Sequence, residues 1–231
     1  MIFREASSKI SYRDVLAAEA KGVPMTHMEL VVATKNKKKL KEIKEILKDL
    51  NLKITSLADY KNAPRIIENG KTFKENAVKK AIKISSFTKK LTLGEDSGLC
   101  VDALGGKPGI YSSRFCGLDK NDDKNNLKLL RMLKGLSFSK RKAYYSCAVA
   151  LADRKGLVGV VEGRCFGSIG FELKGKSGFG YDPLFIIPKY KKTFAELGLK
   201  IKHKMSHRLR ALSKAKKIII KYPPGRGRKN V

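Results

Sequence analysis

The chain reads as an α/β protein, and three features predict it. An apolar run at 30–33 (Leu30, Val31, Val32, Ala33) gives way, within a few residues, to apolar positions at helical spacing: Leu40, Ile43, Ile46, Leu47 and Leu50. A second amphipathic stretch carrying Phe73, Ala77, Ala81 and Ile84 leads into a short apolar segment at 91–93. Two longer β-rich segments, 143–152 and 157–163, flank a turn at 153–156 and form a hairpin.

Taken in order, the opening unit is strand, tight turn and helix, with lysines on the helix face opposite the apolar stripe. A short strand near 53–55 follows, then a polar stretch to Thr72 and the second helix. The strand at 91–93 ends at Gly94-Glu95-Asp96-Ser97-Gly98. After the hairpin and a glycine-rich loop, residues 206–221 form a basic helix with Leu209, Leu212 and Ala215 inward, stopped by Pro223-Pro224-Gly225. Residues 1–27 contain no clear strand, and Met25 and Met28 stand just before the first one, so this segment is an extension or an upstream reading of the start. The folded unit is expected over 28–221, with a basic tail at 222–231 and no internal repeat.

With 231 residues and 42% hydrophobic side chains, the chain has material for a real core, which excludes disorder throughout. Lys and Arg number 51 against 21 Asp and Glu, a formal net charge of +30. Such a field attracts nucleic acid, nucleotide phosphates and anionic membrane alike, so it does not choose among them. Cys100, Cys116, Cys147 and Cys165 are spread singly without a C-x-x-C pair, which argues against zinc and for free thiols in a reducing compartment. No run approaches the ~18 apolar residues of a spanning helix, and the N-terminus lacks a signal-peptide core. A soluble cytoplasmic protein is expected.

Four segments can carry chemistry. Thr34-Lys35-Asn36-Lys37-Lys38-Lys39 sits where a strand turns into a helix, so it is either a phosphate cradle of backbone N–H groups and ammoniums or a merely basic helix start. It is not a Walker A loop. Glu95-Asp96 is a carboxylate pair at a strand terminus, suited to Mg²⁺, or part of an Asp-Ser-Gly turn; Glu68 and Glu75 are further acids that could join it. Adjacent residues on an extended chain face opposite ways, so one acid can ligate while the other supports. In Gly178-Phe179-Gly180-Tyr181-Asp182-Pro183 an aromatic either stacks on a base or plugs the core. Ser206-His207-Arg208 opens the last helix, its serine a natural N-cap, and no nucleophile elbow supports a serine hydrolase.

In this order, and together with Thr72-Phe73-Lys74-Glu75-Asn76-Ala77, Lys80, the stretch from Leu104 to Arg114 and Thr193-Phe194-Ala195-Glu196-Leu197, these segments resemble the inosine triphosphate pyrophosphatase family, the non-canonical purine NTP pyrophosphatases. The likeness runs from about Leu30 to Lys217. It implies a long mixed central β-sheet flanked by helices, two lobes with a nucleotide cleft between them, and a homodimer. It further implies Mg²⁺-dependent hydrolysis of ITP, dITP and XTP to the monophosphate and pyrophosphate, which keeps deaminated purines out of DNA and RNA.

Carried over residue by residue, the resemblance makes Thr34, Lys35, Asn36, Lys37, Lys38 and Lys39 the triphosphate loop. Lys35 stands where the family usually has glycine, which bears on the turn if φ must be positive there. Glu68 and Asp96 become metal ligands, with Asp96 also the catalytic proton acceptor. Lys80, Ser97, Phe179, Gly180, Tyr181, Asp182, Lys202, His207 and Arg208 become substrate contacts, although 199–204 departs from the family's usual acidic residues around Lys202. A broader house-cleaning pyrophosphatase is the near alternative and a basic nucleic-acid-binding protein the distant one. At most weak, non-specific nucleic-acid binding is expected beside catalysis, and no membrane association.

Overall fold

A computed structural model describes residues 28–222; the expected N-terminal extension, the Pro223-Pro224-Gly225 stop and nearly all of the basic tail lie outside them. The described chain forms strands β1 (Glu29–Val32), β2 (Lys53–Ser56), β3 (Leu91–Val101), β4 (Lys142–Asp153), β5 (Gly156–Ile169), β6 (Phe185–Ile187) and β7 (Lys192–Thr193). Its α-helices are α1 (Lys37–Leu47), α2 (Phe73–Thr88), α3 (Asp122–Met132), α4 (Phe194–Met205) and α5 (His207–Ile220). The seven strands make one mixed sheet in the order β2-β1-β3-β4-β5-β6-β7, parallel across β2-β1-β3 and antiparallel from β3 onward.

The strand expected to stop at 93 does not stop. β3 runs on through Gly94-Glu95-Asp96-Ser97-Gly98 to Val101, because β4 pairs with it continuously from Thr92↔Ala152 to Val101↔Ala143. Its parallel partner β1 does end, at the pair Val32↔Leu93. Glu95 and Asp96 therefore lie just past the carboxyl end of the parallel part of the sheet, where α/β proteins open a crevice, yet on a strand held by its other neighbour.

Side-chain alternation along β3 sorts the core. Leu91 and Leu93 join Leu30, Val32, Ile43, Leu47, Leu212 and Ala215 under α1 and α5 on one face. Ala77 and Ala81 of α2 pack on Ala148, Ala150 and Ala152 on the other. Toward the far end of the long strands a separate cluster gathers Leu99, Val101, Tyr145, Cys165, Phe185 and Phe194 with Leu129 of α3. The charged middle of β3 lies between the two large clusters.

Glycine decides how closely α2 approaches. A Cβ on Gly94 would stand 2.2 Å from the Ala77 carbonyl oxygen, and one on Gly98 2.3 Å from the Ser112 hydroxyl. Both glycines alternate with Asp96 on one face of β3, so α2 and the 3₁₀ segment Gly109–Arg114 close in on either side of that carboxylate.

Candidate active site

The turn from β1 into α1 is shaped by its own side chains. Thr34 Oγ1 accepts from the Asn36 N–H at 3.1 Å, and Asn36 Oδ1 caps α1 by accepting from the Lys39 N–H at 3.1 Å. Lys35, Lys37 and Lys38 are exposed around this helix N-terminus. Among the described residues positive φ at a non-glycine falls on Asn51, Lys89, Lys120 and Lys191 and not on Lys35, so lysine adopts this turn without left-handed strain.

Glu95 and Asp96 point to opposite faces. Glu95 is 4% exposed and meets Lys39 Nζ at 2.9 Å and Arg208 Nη2 at 3.1 Å. Burial alone would raise its carboxyl pKa, but Arg208 and Lys39 outweigh that and hold it well below the usual range. Arg208 also donates to Ser97 Oγ at 3.0 Å and pairs with Glu42, which in turn holds Lys202 Nζ at 2.9 Å. Lys202 reaches on to Asp182 Oδ2 at 2.7 Å. A single chain of buried ion pairs thus links α1, β3, α4, α5 and the glycine-rich loop.

Asp96 faces α2. Its Oδ2 accepts from Asn76 Nδ2 at 3.0 Å, and Asn76 Oδ1 in turn accepts from the Gly70 N–H at 2.8 Å. Lys80 Nζ stands 3.6 Å from Asp96 Oδ1 and 2.9 Å from Glu68 Oε2, and donates to the Glu95 carbonyl at 3.1 Å. Burial pushes the Asp96 carboxyl up, with Lys80 and Lys39 pulling against it and the Glu68 charge adding to the rise.

No cluster of three or more potential metal ligands exists among the described residues. What does exist is a pair of carboxylates, Glu68 and Asp96, bridged by one ammonium. Two hard oxygen donors beside the Lys39 and Lys80 ammoniums fit Mg²⁺, which is ordinarily held by one or two carboxylates with water completing its shell.

The loop at 178–183 is pinned from several sides. Asp182 accepts from the Phe179 N–H at 2.9 Å, Gly180 donates to Asp122 Oδ2 at 2.8 Å, and Asn126 Nδ2 donates to the Gly180 carbonyl at 2.9 Å. Gly178 has φ +85°, and a Cβ there would lie 2.1 Å from Asp182 Oδ2. The two aromatics part company. Phe179 stays half-exposed, its ring centroid 4.4 Å from Lys202 Nζ and 5.9 Å from Lys38 Nζ. Tyr181 turns into the core and donates to the Ser112 carbonyl at 2.9 Å.

Ser206 is the N-cap of α5, and His207 stacks on Tyr145 at 4.6 Å and 12°. Burial first, then Arg208 and Lys202, push the His207 pKa well down, so its ring is neutral. His207 Nδ1 and Arg208 Nε are buried without hydrogen-bond partners among the described residues.

The structure therefore gathers Lys39, Glu68, Lys80, Asp96, Ser97, Phe179, Asp182, Lys202 and Arg208 into one neighbourhood, and sets Tyr181 apart in the core. Two participants escape the sequence reading. Glu42 is 4% exposed on the inner side of α1, three residues after Lys39 and beside Ile43 and Ile46, a charged residue on an apolar stripe. Asn76 belongs to a segment that was read for its resemblance, but its role on Asp96 needed the third dimension.

A sequence profile of the Ham1 family matches residues 30–218. The chain belongs to the Ham1 family. Within the family it is 48% identical over 192 residues to a dITP/XTP pyrophosphatase of Desulforamulus reducens, covering 83% of this chain and 96% of the relative. A dITP/XTP pyrophosphatase of Shouchella clausii is 47% identical over 191 residues, covering 83% and 96%. Among solved structures, a Ham1 protein of Coxiella burnetii superposes with a TM-score of 0.77 at 36% identity, over 84% of this chain and 99% of that one. The Staphylococcus aureus Ham1 protein gives 0.76 at 33% identity, over 84% and 100%. The α/β fold with a long mixed sheet is thus that of the Ham1 family. No helix among the described residues is long and apolar enough to cross a membrane.

Proposed function

We propose that this chain is a Mg²⁺-dependent nucleoside triphosphate pyrophosphohydrolase that converts dITP, ITP and XTP to the monophosphate and pyrophosphate. The observation that carries the reading is the convergence of Lys39, Lys80 and Arg208 on the acid pair Glu95-Asp96, in a chain 44–48% identical to proteins named for that activity. The working unit is residues 28–221. With the activity go a cytoplasmic homodimer and the clearance of deaminated purines from the precursors of DNA and RNA.

In this reading the triphosphate lies on the N-terminus of α1, where free backbone N–H groups and Lys35, Lys37 and Lys38 attract it. Glu68 and Asp96 hold the Mg²⁺, which when bound supplies Lewis acidity toward phosphoryl oxygens. Asp96, its plane fixed by Asn76, orients the attacking water and accepts its proton. Lys39 and Lys80 stabilise the charge on the departing pyrophosphate.

Base choice falls to the other end of the cleft. Phe179 stacks on any purine and adds affinity without choosing among bases. Arg208 Nε–H meets the 6-oxo group of hypoxanthine or xanthine, with the neutral His207 beside it; adenine's 6-amino group would leave that donor unpaired, which disfavours ATP. Lys202 and Asp182 hold the Phe179 loop in place, as their 2.7 Å ion pair allows.

The test is pyrophosphate release from dITP, ITP, XTP, GTP, ATP and dUTP with and without Mg²⁺. Turnover confined to the first three and dependent on the metal is expected. No turnover of ITP or XTP overturns the proposal.

A further inference from the structure

The cations of the acid-pair site are matched by carboxylates; those on the outside of the same helix are not. α1 and its C-cap carry Lys37, Lys41, Lys44 and Lys48 at steps of four, three and four residues, all exposed. That spacing makes one row along the helix, with about 6 Å of rise for each four-residue step. Lys37, Lys41 and Lys44, with Leu40 and Glu45, line a groove of about 550 Å³ whose opposite bank is His203 of α4. Lys200 and Lys204, both exposed, flank His203 on α4.

The charge of this groove is not neutralised. None of Lys37, Lys41 and Lys44 makes an ion pair with another described residue, and the one lining acid, Glu45, is taken by Lys48 at 2.7 Å. On the α4 bank His203 Nε2 is buried without a hydrogen-bond partner among the described residues.

We propose that the groove between α1 and α4 binds the phosphodiester backbone of single-stranded nucleic acid. This goes beyond the nucleotide site, with which the groove lining shares Lys37. Lysine ammoniums are point charges suited to phosphate, and the groove holds no spare carboxylate for a cation. Leu40 is its only large apolar side chain and is half-buried, which gives neither an amphipathic helix nor a bilayer a purchase. The unpaired row Lys37, Lys41 and Lys44 rises about 10 Å along the helix, and the exposed Lys200 and Lys204 stand beside His203 across from it. A flexible single strand can follow the lysine row into the groove between α1 and α4, whereas a duplex, stiff over about 150 base pairs, cannot bend into it. With no aromatic in the lining, binding is electrostatic and indifferent to sequence.

The experiment is fluorescence anisotropy of the full chain with a labelled single-stranded oligothymidine and a duplex of the same length, across a salt series. The exposed triple variant Lys41→Glu/Lys44→Glu/Lys204→Glu is compared with Lys142→Glu/Lys155→Glu/Lys189→Glu, which carries the same charge change on exposed residues elsewhere. Loss of three phosphate contacts should flatten the slope of log K against log salt by about 2 in the groove variant, at roughly 0.7 per contact, while the control variant keeps the wild-type slope. Should the charge reversals unfold the chain, Lys41→Gln/Lys44→Gln reads the same effect at about 1.4. Equal losses in both variants, tighter binding of the duplex than of the single strand, or no binding by the wild type at low salt each overturn the proposal.

Discussion

Arg208 Nη2 donates to Glu95 Oε1 at 3.1 Å across 113 residues of chain, and both side chains are almost wholly buried. The guanidinium also reaches Glu42 of α1 and Ser97 of β3, so one planar fork ties α1 and β3 to α5. Removing one partner of such a pair leaves the other as an uncompensated buried charge. Glu95→Ala should lower unfolding free energy by about 3 kcal/mol, and Arg208→Lys, which cannot fork, should fail to match wild type. Urea unfolding at constant m-value measures both; a loss under about 1 kcal/mol for Glu95→Ala contradicts the assignment.

Asp96→Asn should retain the fold, because the new amide oxygen can still accept from Asn76 Nδ2, yet lose at least about 100-fold in turnover if the carboxylate accepts the proton. Asn76→Ala, which frees the carboxylate without removing it, should lose less. Pyrophosphate release at saturating Mg²⁺ ranks the two variants. A ranking in the opposite order means Asp96 is not the acceptor.

Gly94→Ala tests the closeness of α2. The added methyl would meet the Ala77 carbonyl and the Ala81 N–H at 2.2 and 2.6 Å, both backbone and unable to yield locally. A cost of about 3 kcal/mol, the upper end for overpacking, is expected as a fall in melting temperature. Activity should fall further than stability explains, since the displaced helix carries Asn76 and Lys80.

A pH-dependent contribution sits at the start of β1. Burial raises the Glu29 carboxyl, but the Lys90 ammonium at 2.9 Å and the Tyr60 hydroxyl outweigh it and hold the carboxyl below its ordinary value. A depressed carboxylate contributes stability that is present above its unfolded pKa of about 4.3 and fades as pH falls through the lower folded value. Glu29→Gln should therefore be less stable than wild type at neutral pH and converge with it at acid pH, once the pH lies below the folded value. Parallel unfolding curves at both pH values would show that the pair contributes nothing.

Elements with a strong period were legible before any coordinates. The Leu40, Ile43, Ile46 and Leu47 stripe of α1 and the β4–β5 hairpin stand where the pattern puts them, although β5 runs on past 163 to Ile169 because β4 pairs with it as far as Lys142↔Ser168. β3 was cut short because Gly-Glu-Asp-Ser-Gly has poor strand propensity, which β4 pairing and the closeness of α2 override. α3 is hard to read because the inward face of its first turns carries Asn125 and Asn126, and its apolar residues Leu129, Leu130 and Leu133 gather only at its C-terminal end. The Thr193 and Glu196 capping box that starts α4 is a helix-start signal legible in the sequence. Within the site, Glu42 and Asn76 stayed hidden because a polar residue on a helix looks solvated until the partner that faces it is known.

The acids of β3 lie between two hydrophobic clusters that grip opposite ends of the same three long strands. Neither cluster can come apart without stripping strands from the other, so the sheet opens as a unit. Backbone amides at the centre, around Asp96 and its cross-strand neighbour Ala148, are then expected to be among the slowest in the chain to exchange their hydrogens with solvent.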